Sequence, residues 1–169
     1  MNQSDFLKVV LPFKDKVFRL AKRLLISTEE AEDATQELFF KLWKSKEKIV
    51  DYKNVEAFAM TMTKNYCYDR LKSKQASNLT LIHSNYKEKD TSLDKKLDYR
   101  DSVNQVHLLI ESLPAQQKII IQLRDIEQYE FEEICKMVAM KPTAVRVALS
   151  RARKTVRAEL IKKHNYGVS

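Results

Sequence analysis

The clearest structural signal in this chain comes from residues 131–153, FEEICKMVAMKPTAVRVALSRAR. Apolar side chains recur at helical spacing in Phe131–Val138, and they recur again after Pro142, which fits the first turn of a helix running to about Lys163. A short helix, a tight turn and a longer basic helix are typical of a helix-turn-helix unit. The inner face of its last helix is predicted to consist of Val145, Leu149 and Ala152.

The opposite face of that last helix carries side chains suited to binding nucleic acid. Arginine near the start of such a helix can read guanine bidentately in the major groove. Residues 136–169 hold nine Lys or Arg and one acidic residue, an excess equal to the net charge of +8 of the whole chain. So basic a segment indicates a polyanionic partner. The outward residues are Thr143, Arg146, Val147, Ser150 and Arg151, next to Pro142 at the helix start.

The scarcity of glycine restricts the fold class. The chain has 169 residues but only one glycine, Gly167, and three prolines. Tight hairpins and phosphate-cradling loops depend on glycine for positive φ or for close approach of the backbone. We therefore expect an all-α protein without a nucleotide-binding loop.

Helical patterning on either side of a polar stretch predicts two small helical domains. Residues 1–72 contain three helical segments and form the first domain. From residue 73 to residue 96, Ser, Asn, Thr and Lys dominate, so we predict a flexible linker there. The helical pattern resumes at residue 97, breaks at Leu113-Pro114 and continues through the helix-turn-helix. The second domain is therefore predicted to span residues 97–169.

No residue pattern points to catalysis. Cys67 and Cys135 lie far apart, the three histidines have no metal-ligand spacing, and no carboxylate is matched to a base or a nucleophile. We therefore predict a non-enzymatic protein with no metal site, no cofactor and no small-molecule substrate. There is no signal peptide and no apolar run near the ~20 residues that span a bilayer, which predicts a cytoplasmic location.

Three segments together resemble the extracytoplasmic-function sigma factors, the fourth group of the sigma-70 family, whose members have two helical domains and a linker. The first segment is Glu30–Trp43, EAEDATQELFFKLW, which is preceded by a capping box at Ser27. It is similar to the family signature AED..QE.F..LW, and in the family this helix binds the coiled coil of the polymerase β′ subunit. The alternative is an ordinary solvated acidic face. The resemblance assigns polymerase binding to Asp33, Gln36, Glu37, Phe40 and Lys41.

The second segment is Ala57–Lys72, AFAMTMTKNYCYDRLK, which is similar to the family pattern aWl..ia.N...D..R. In the family this helix and the loop before it capture the downstream (−10) promoter element and help to open the duplex. Lysine at position 72 stands where the family has arginine, which weakens the case for a bidentate phosphate contact. The tyrosines of the segment could stack on unpaired bases or pack in the core. The resemblance assigns contacts with this element to Lys64, Asn65, Tyr68, Arg70 and Lys72.

The third segment is the helix-turn-helix with Leu113-Pro114 before it, which is similar to the family pattern LP…eEIA..l…tV+..l.RAr. In the family this domain reads the upstream (−35) promoter element and binds the β flap of polymerase. Ala139 stands where the turn often has glycine, and Lys141 where the family has a capping serine, so we expect a less well capped turn. The resemblance assigns contacts with the upstream element to Pro142, Thr143, Arg146, Val147, Ser150 and Arg151.

The resemblance also implies the partners: core RNA polymerase, promoter DNA and an anti-sigma factor, which in the family is often anchored in the membrane and would hold the chain there. A gap of about 20 base pairs is roughly 70 Å. A relaxed linker spans roughly 30 Å, and a stretched one reaches about 90 Å. Both promoter elements can thus be bound at once only if polymerase fixes the linker, and the free protein should bind DNA weakly.

Two other functions fit parts of the sequence. A stand-alone helix-turn-helix regulator would explain the basic C-terminal segment and would dimerise on repeated half-sites, but it leaves the acidic helix without a role. A helical protein that holds a partner regulator would bind no DNA even with polymerase present. An enzyme comes third, since no group of residues supports one.

Overall fold

The computed structural model describes residues 1–80 and 101–168, with side chains for residues 1–77 and 102–165. All regular secondary structure in these two ranges is helical, as the sequence predicts. The remainder of the predicted linker, residues 81–96, lies outside the described residues. We call residues 1–80 the N-terminal block and residues 101–168 the C-terminal block.

The N-terminal block consists of the helices α1 (Gln3–Leu25), α2 (Thr28–Lys44), α3 (Lys46–Ile49) and α4 (Val55–Thr80). Helix α1 is a single helix that continues through Pro12, and it packs against both α2 and α4. Its apolar residues recur every three or four positions, so one face is buried in the centre of the block. That face consists of Phe6, Val10, Phe13, Val17, Leu20, Ala21 and Leu24.

Side-chain caps fix where the helices of this block begin. The Ser27 hydroxyl oxygen accepts a hydrogen bond from the Glu30 amide at 3.3 Å, and Asn54 Oδ1 accepts one from the Ala57 amide at 2.9 Å. Within the described residues, only this half of the predicted capping box at Ser27 is formed. The Glu30 carboxylate instead binds the Lys74 ammonium at 2.6 Å, because α4 runs alongside the start of α2.

Helix α4 extends further than the sequence pattern predicts. We expected it to end near Lys72, and it continues to Thr80, so residues 73–80 are helical and the prediction of a linker was wrong for them. The segment is polar, but Lys74, Gln75 and Ala76 all favour helix. The ion pair between Lys74 and Glu30 adds a tertiary contact that polarity alone does not reveal.

The C-terminal block consists of α5 (Asp101–Glu111), α6 (Ala115–Ile121), a π-helical turn (Gln122–Ile126), α7 (Phe131–Val138) and α8 (Pro142–Val168). Helix α7 has the predicted bounds, and α8 runs past the predicted end at Lys163. The π turn was not predicted, since its apolar residues keep helical spacing. The core of the block includes Ile110, Leu113, Ile119, Ile120, Leu123, Ile134, Met137, Val145 and Ala152.

The two blocks lie against each other. Helix α1 contacts α6 and the π turn, and α4 contacts α7. Buried residues of both blocks therefore form one continuous apolar cluster.

Candidate nucleic-acid and protein interfaces

The residues predicted to bind polymerase share one exposed face of α2. The opposite face, which includes Leu38 and Leu42, is buried against α1, so the helix turns its acidic side to solvent. Phe40 is 53% exposed, which is unusual for an aromatic side chain, and the Lys44 ammonium lies 4.8 Å from its ring centroid. The exposed residues of this face are Asp33, Gln36, Glu37, Phe40 and Lys41.

One residue predicted to contact DNA lies beside this acidic face instead. An Arg70 Nη1 group donates to the Tyr66 hydroxyl at 3.1 Å, and Arg70 Nε lies 3.8 Å from the Glu30 carboxylate. Arg70 and Tyr66 line an open cavity of about 500 Å³ together with four of the predicted polymerase-binding residues. These are Asp33, Gln36, Glu37 and Phe40.

The other residues predicted for the downstream element divide between two environments on α4. Asn65 and Lys72 are exposed and lie two helical turns apart on one face. Lys64 and Tyr68 are half-buried, and Lys64 Nζ donates to the carbonyl of Met137 in the C-terminal block at 2.9 Å. Burial lowers the pKa of Lys64 and raises that of Tyr68. The structure therefore does not gather the five predicted residues into one surface.

The residues predicted for the upstream element lie together on the outer face of α8. Helical spacing places Val145, Leu149 and Ala152 in the core and turns the intervening positions to solvent. The Arg146 guanidinium lies 4.8 Å from the ring centroid of Phe131, which restricts its orientation. The exposed residues of this face are Pro142, Thr143, Arg146, Val147, Ser150 and Arg151.

Arg153 has a partner that the sequence does not reveal. Its guanidinium donates to both carboxylate oxygens of Asp125 in the π turn, at 3.0 and 2.6 Å. This hydrogen bonding to Asp125 raises the pKa of Arg153. The pair joins α8 to the π turn.

Comparison with known proteins identifies both blocks. The model of sigma-70 region 2 matches residues 9–77, and that of sigma-70 region 4 matches residues 104–156. The two matched ranges cover well over half of the chain and coincide with the two helical blocks. The chain belongs to the sigma-70 family. It is an alternative sigma factor of the extracytoplasmic-function type, and it directs transcription initiation.

Named relatives agree with this assignment. The RNA polymerase sigma-H factor of Pseudomonas aeruginosa is 25% identical over 168 residues, which cover 92% of this sigma factor and 86% of the relative. The ECF RNA polymerase sigma factor SigE of Mycolicibacterium smegmatis is 28% identical over 161 residues, covering 92% of this chain and 61% of that protein. The sigma factor RpoE of Bartonella quintana, solved in complex with the anti-sigma factor NepR, superposes with a TM-score of 0.77 at 19% identity. That match covers 94% of this chain and 97% of the other, and it supports the fold.

The cysteines of the sigma factor have different surroundings. Cys67 is buried in the N-terminal block, and burial raises the pKa of its thiol to about 12, whereas Cys135 on α7 is half-exposed. Across residues 1–80 and 101–168, no group of His, Cys, Asp or Glu side chains is arranged to hold a metal ion. No helix in the same part of the chain is long and apolar enough to cross a membrane.

Proposed function

We propose that the sigma factor acts as a non-enzymatic adaptor, in which α2 binds core RNA polymerase while α4 and α8 contact the two promoter elements. The observation that carries this proposal is the pair of exposed faces in one chain, the acidic face of α2 with Phe40 at its centre and the basic outer face of α8. A protein partner suits the first face and DNA the second.

The α2 face has the anatomy of a protein interface. An exposed aromatic side chain supplies the anchor, and the surrounding charged side chains supply orientation and specificity. Asp33 and Glu37 lie about one helical turn apart and line the same open cavity as Phe40. We assign Arg70 to this surface as well, since it lines the same cavity, and no longer to the downstream promoter element.

The α8 face suits the major groove. Arg146 and Arg151 lie five positions apart, about 7.5 Å along the helix axis and about 140° apart around it. A helix in the major groove can therefore present one of them to base edges and the other to a flanking phosphate. We assign base or phosphate contacts to these arginines, and contacts at the start of the helix to Pro142, Thr143, Val147 and Ser150.

Three residues of α4 remain candidates for the downstream element besides Tyr68. Asn65 and Lys72 are exposed, and Lys64 is held by the C-terminal block. We propose that Asn65 and Lys72 approach DNA first and that Lys64 joins them once the two blocks separate.

The remaining partners follow from the family and from the C-terminal block. An apolar groove of about 860 Å³ lies between α5, the π turn and α8, and we propose it for the β flap of polymerase. RpoE of Bartonella quintana is solved with an anti-sigma factor, and we propose that an anti-sigma factor also controls this chain. This sigma factor would act in the cytoplasm, and a membrane-anchored anti-sigma factor would hold it at the membrane.

Runoff transcription with core polymerase tests the proposed function. The purified chain should add promoter-specific initiation, whereas the variant with Asp33→Lys and Glu37→Lys should bind core polymerase at least about tenfold more weakly. Its circular dichroism should be unchanged, because both side chains are exposed. Glu47→Lys, an exposed acid on α3, is the control for charge reversal outside the α2 face. Normal core affinity of the double variant would reject the docking surface.

Promoter preference tests the α8 assignment. Arg151→Ala should weaken binding to the upstream element by about 1–3 kcal/mol if a base contact is lost. Lys154→Ala, at an exposed position three residues further along α8, should weaken binding to all promoters alike. Both affinities can be measured with promoter fragments that differ only in the upstream element. An unchanged preference in the Arg151→Ala protein would reject its reading role.

A further inference from the structure

Two arginines of α1 make hydrogen bonds to the C-terminal block. Residues 101–135 hold seven acidic and two basic residues, a bias that neither promoter contact nor core packing explains. Arg19 Nε and Nη2 donate to the two carboxylate oxygens of Glu127 at 2.8 and 2.7 Å. The Glu127 side chain is 1% exposed. Such a bidentate pair is both strong and orientation-specific.

A second arginine enters the C-terminal block more deeply. Arg23 is 6% exposed, and its Nε donates to Gln122 Oε1 at 2.8 Å. Its Nη1 donates to the His107 carbonyl at 3.2 Å, and its Nη2 lies 2.7 Å from His107 Nδ1. Burial lowers the pKa of Arg23 below its ordinary value. All three of these groups, on Gln122 and His107, belong to the other block, so contact between the blocks creates this environment.

The π turn brings together one acceptor for each arginine, Glu127 for Arg19 and Gln122 for Arg23. Side chains five residues apart on an α-helix differ by about 140° in direction, at 100° per residue. The π turn, closed by the hydrogen bond from the Glu127 amide to the Gln122 carbonyl at 3.0 Å, brings these two residues nearly into line. Gln122 Nε2 then donates to Glu127 Oε2 at 3.0 Å and connects the two arginine sites. π-helical turns of this kind occur often at functional sites.

A second contact between the blocks covers part of the promoter-binding surface. Lys64 of α4 donates to the carbonyl of Met137 at 2.9 Å, close to the turn of the helix-turn-helix. Asn54, the cap of α4, donates to Glu133 of α7 at 3.1 Å. Contact between the blocks therefore holds Lys64, one of the two lysines assigned to the downstream element, in a hydrogen bond within the protein.

We propose that the free sigma factor is held closed by a latch formed by Arg19, Arg23, His107, Gln122 and Glu127, and that the closed form is autoinhibited. The two promoter elements are roughly 70 Å apart, whereas the closed blocks touch, so promoter binding requires the latch to open. This inference rests on the proposed function. When only the open form binds, the apparent affinity falls in proportion to the open fraction.

Small-angle X-ray scattering of the full chain measures closure without any reference to transcription. The closed wild type should have a radius of gyration of about 15 Å. Arg19→Ala, in which a half-exposed side chain is shortened, and Glu127→Gln should raise it above about 20 Å. Glu132→Gln is the matched control, since it makes the same change of residue type five positions from Glu127, at an exposed position of α7. Its radius should equal that of the wild type.

Transcription measures the consequence of opening. With core polymerase and a promoter in excess, the two latch variants should reach half-maximal runoff product at a protein concentration at least about fivefold lower than the wild type. The concentration that Glu132→Gln needs should equal that of the wild type. Two outcomes would overturn the latch and leave the proposed function intact: a radius of gyration that is the same in the latch variants and the wild type, or a wild type that is already extended. Latch variants that open without gaining activity would overturn autoinhibition. A compact wild type whose variants add no transcription would instead reject the proposed function.

Discussion

Three residues of the described chain adopt positive φ, and none of them is glycine. Ile26 (φ 70°) follows α1, Gln128 (φ 62°) follows the π turn, and Ala139 (φ 55°) ends α7. A side chain with a Cβ in this region costs about 1–2 kcal/mol relative to the right-handed conformation. The sequence marks one of the three, since Ala139 stands where related turns often have glycine. It does not mark Ile26, which ends α1 just before the cap of α2.

Replacing Ala139 with glycine should stabilise the sigma factor. The substitution relieves the left-handed strain at the end of α7 but gives the unfolded chain more freedom, so the free energy of unfolding should rise by about 0.5–1 kcal/mol. Ala144→Gly, the same change inside exposed α8, should lower it by about 0.5–1 kcal/mol. Urea unfolding followed by circular dichroism measures both. Destabilisation by the two substitutions alike would contradict the strain at Ala139.

At the scale of the element, the sequence predicts what local pattern determines and misses what tertiary contact determines. The bounds of α7 follow from its apolar spacing and from Pro142 after it, and they are as predicted. The last turns of α4 are stabilised in part by the ion pair between Lys74 and Glu30, residues far apart in the chain. The π turn likewise has an ordinary helical pattern, and its distinguishing hydrogen bond becomes visible only in three dimensions.

The cap of α4 gives a prediction at this scale. Asn54→Ala should lower the free energy of unfolding by about 1 kcal/mol, because the amide of Ala57 loses its acceptor at 2.9 Å. Asn54→Asp should retain most of that stability, since a carboxylate caps a helix equally well. Thermal unfolding of the two variants and the wild type checks the order. Equal losses in both variants would show that the contact with Glu133, and not the cap, is what matters.

At the scale of the whole molecule, the sequence predicts the two blocks and their outward faces but not their contact. The α2 and α8 faces follow from helical periodicity, so every residue assigned to them is exposed as expected. The pairs that join the blocks, such as Arg19 with Glu127, are separated by about a hundred residues and leave no periodic signal. Glu127 belongs to the acidic segment 101–135, but the acidic bias of that segment does not single it out. The sequence does not identify the basic partner of Glu127 either, because basic residues occur throughout the rest of the chain.

Closure should depend on pH through His107. Arginine can only donate, so His107 Nδ1 must accept from Arg23 at 2.7 Å, and the ring must be neutral in the closed form. Burial, and then the charge of Arg23, lower the pKa of His107 below its ordinary value of 6.5. Neutral His107 therefore supports closure above about pH 6.5, and this support is lost as the pH falls through the lowered pKa.

The charges around His107 reinforce this direction, because most of them are positive. The radius of gyration of the wild type should rise as the pH falls from about 7.5 to about 5. The radius of His107→Asn, which keeps an acceptor that does not titrate, should rise less over the same range. An equal response of both proteins would assign the effect to another group. The charged groups near His107 are Arg19, Lys22 and Arg23 of α1, Glu111 of α5, Asp125 of the π turn, and Arg153, Arg157 and His164 of α8.

The burial of Cys67 has a practical consequence for spectroscopy. A maleimide dye reacts with a thiolate, so at neutral pH it should attach to Cys135 and leave Cys67 untouched. The chain also has a single tryptophan, Trp43 at the end of α2. The native sequence thus carries an energy-transfer donor in one block and an attachment point for an acceptor in the other. Separation of the blocks in the free protein, for example as the pH falls, can be followed by fluorescence in real time without any engineered residue.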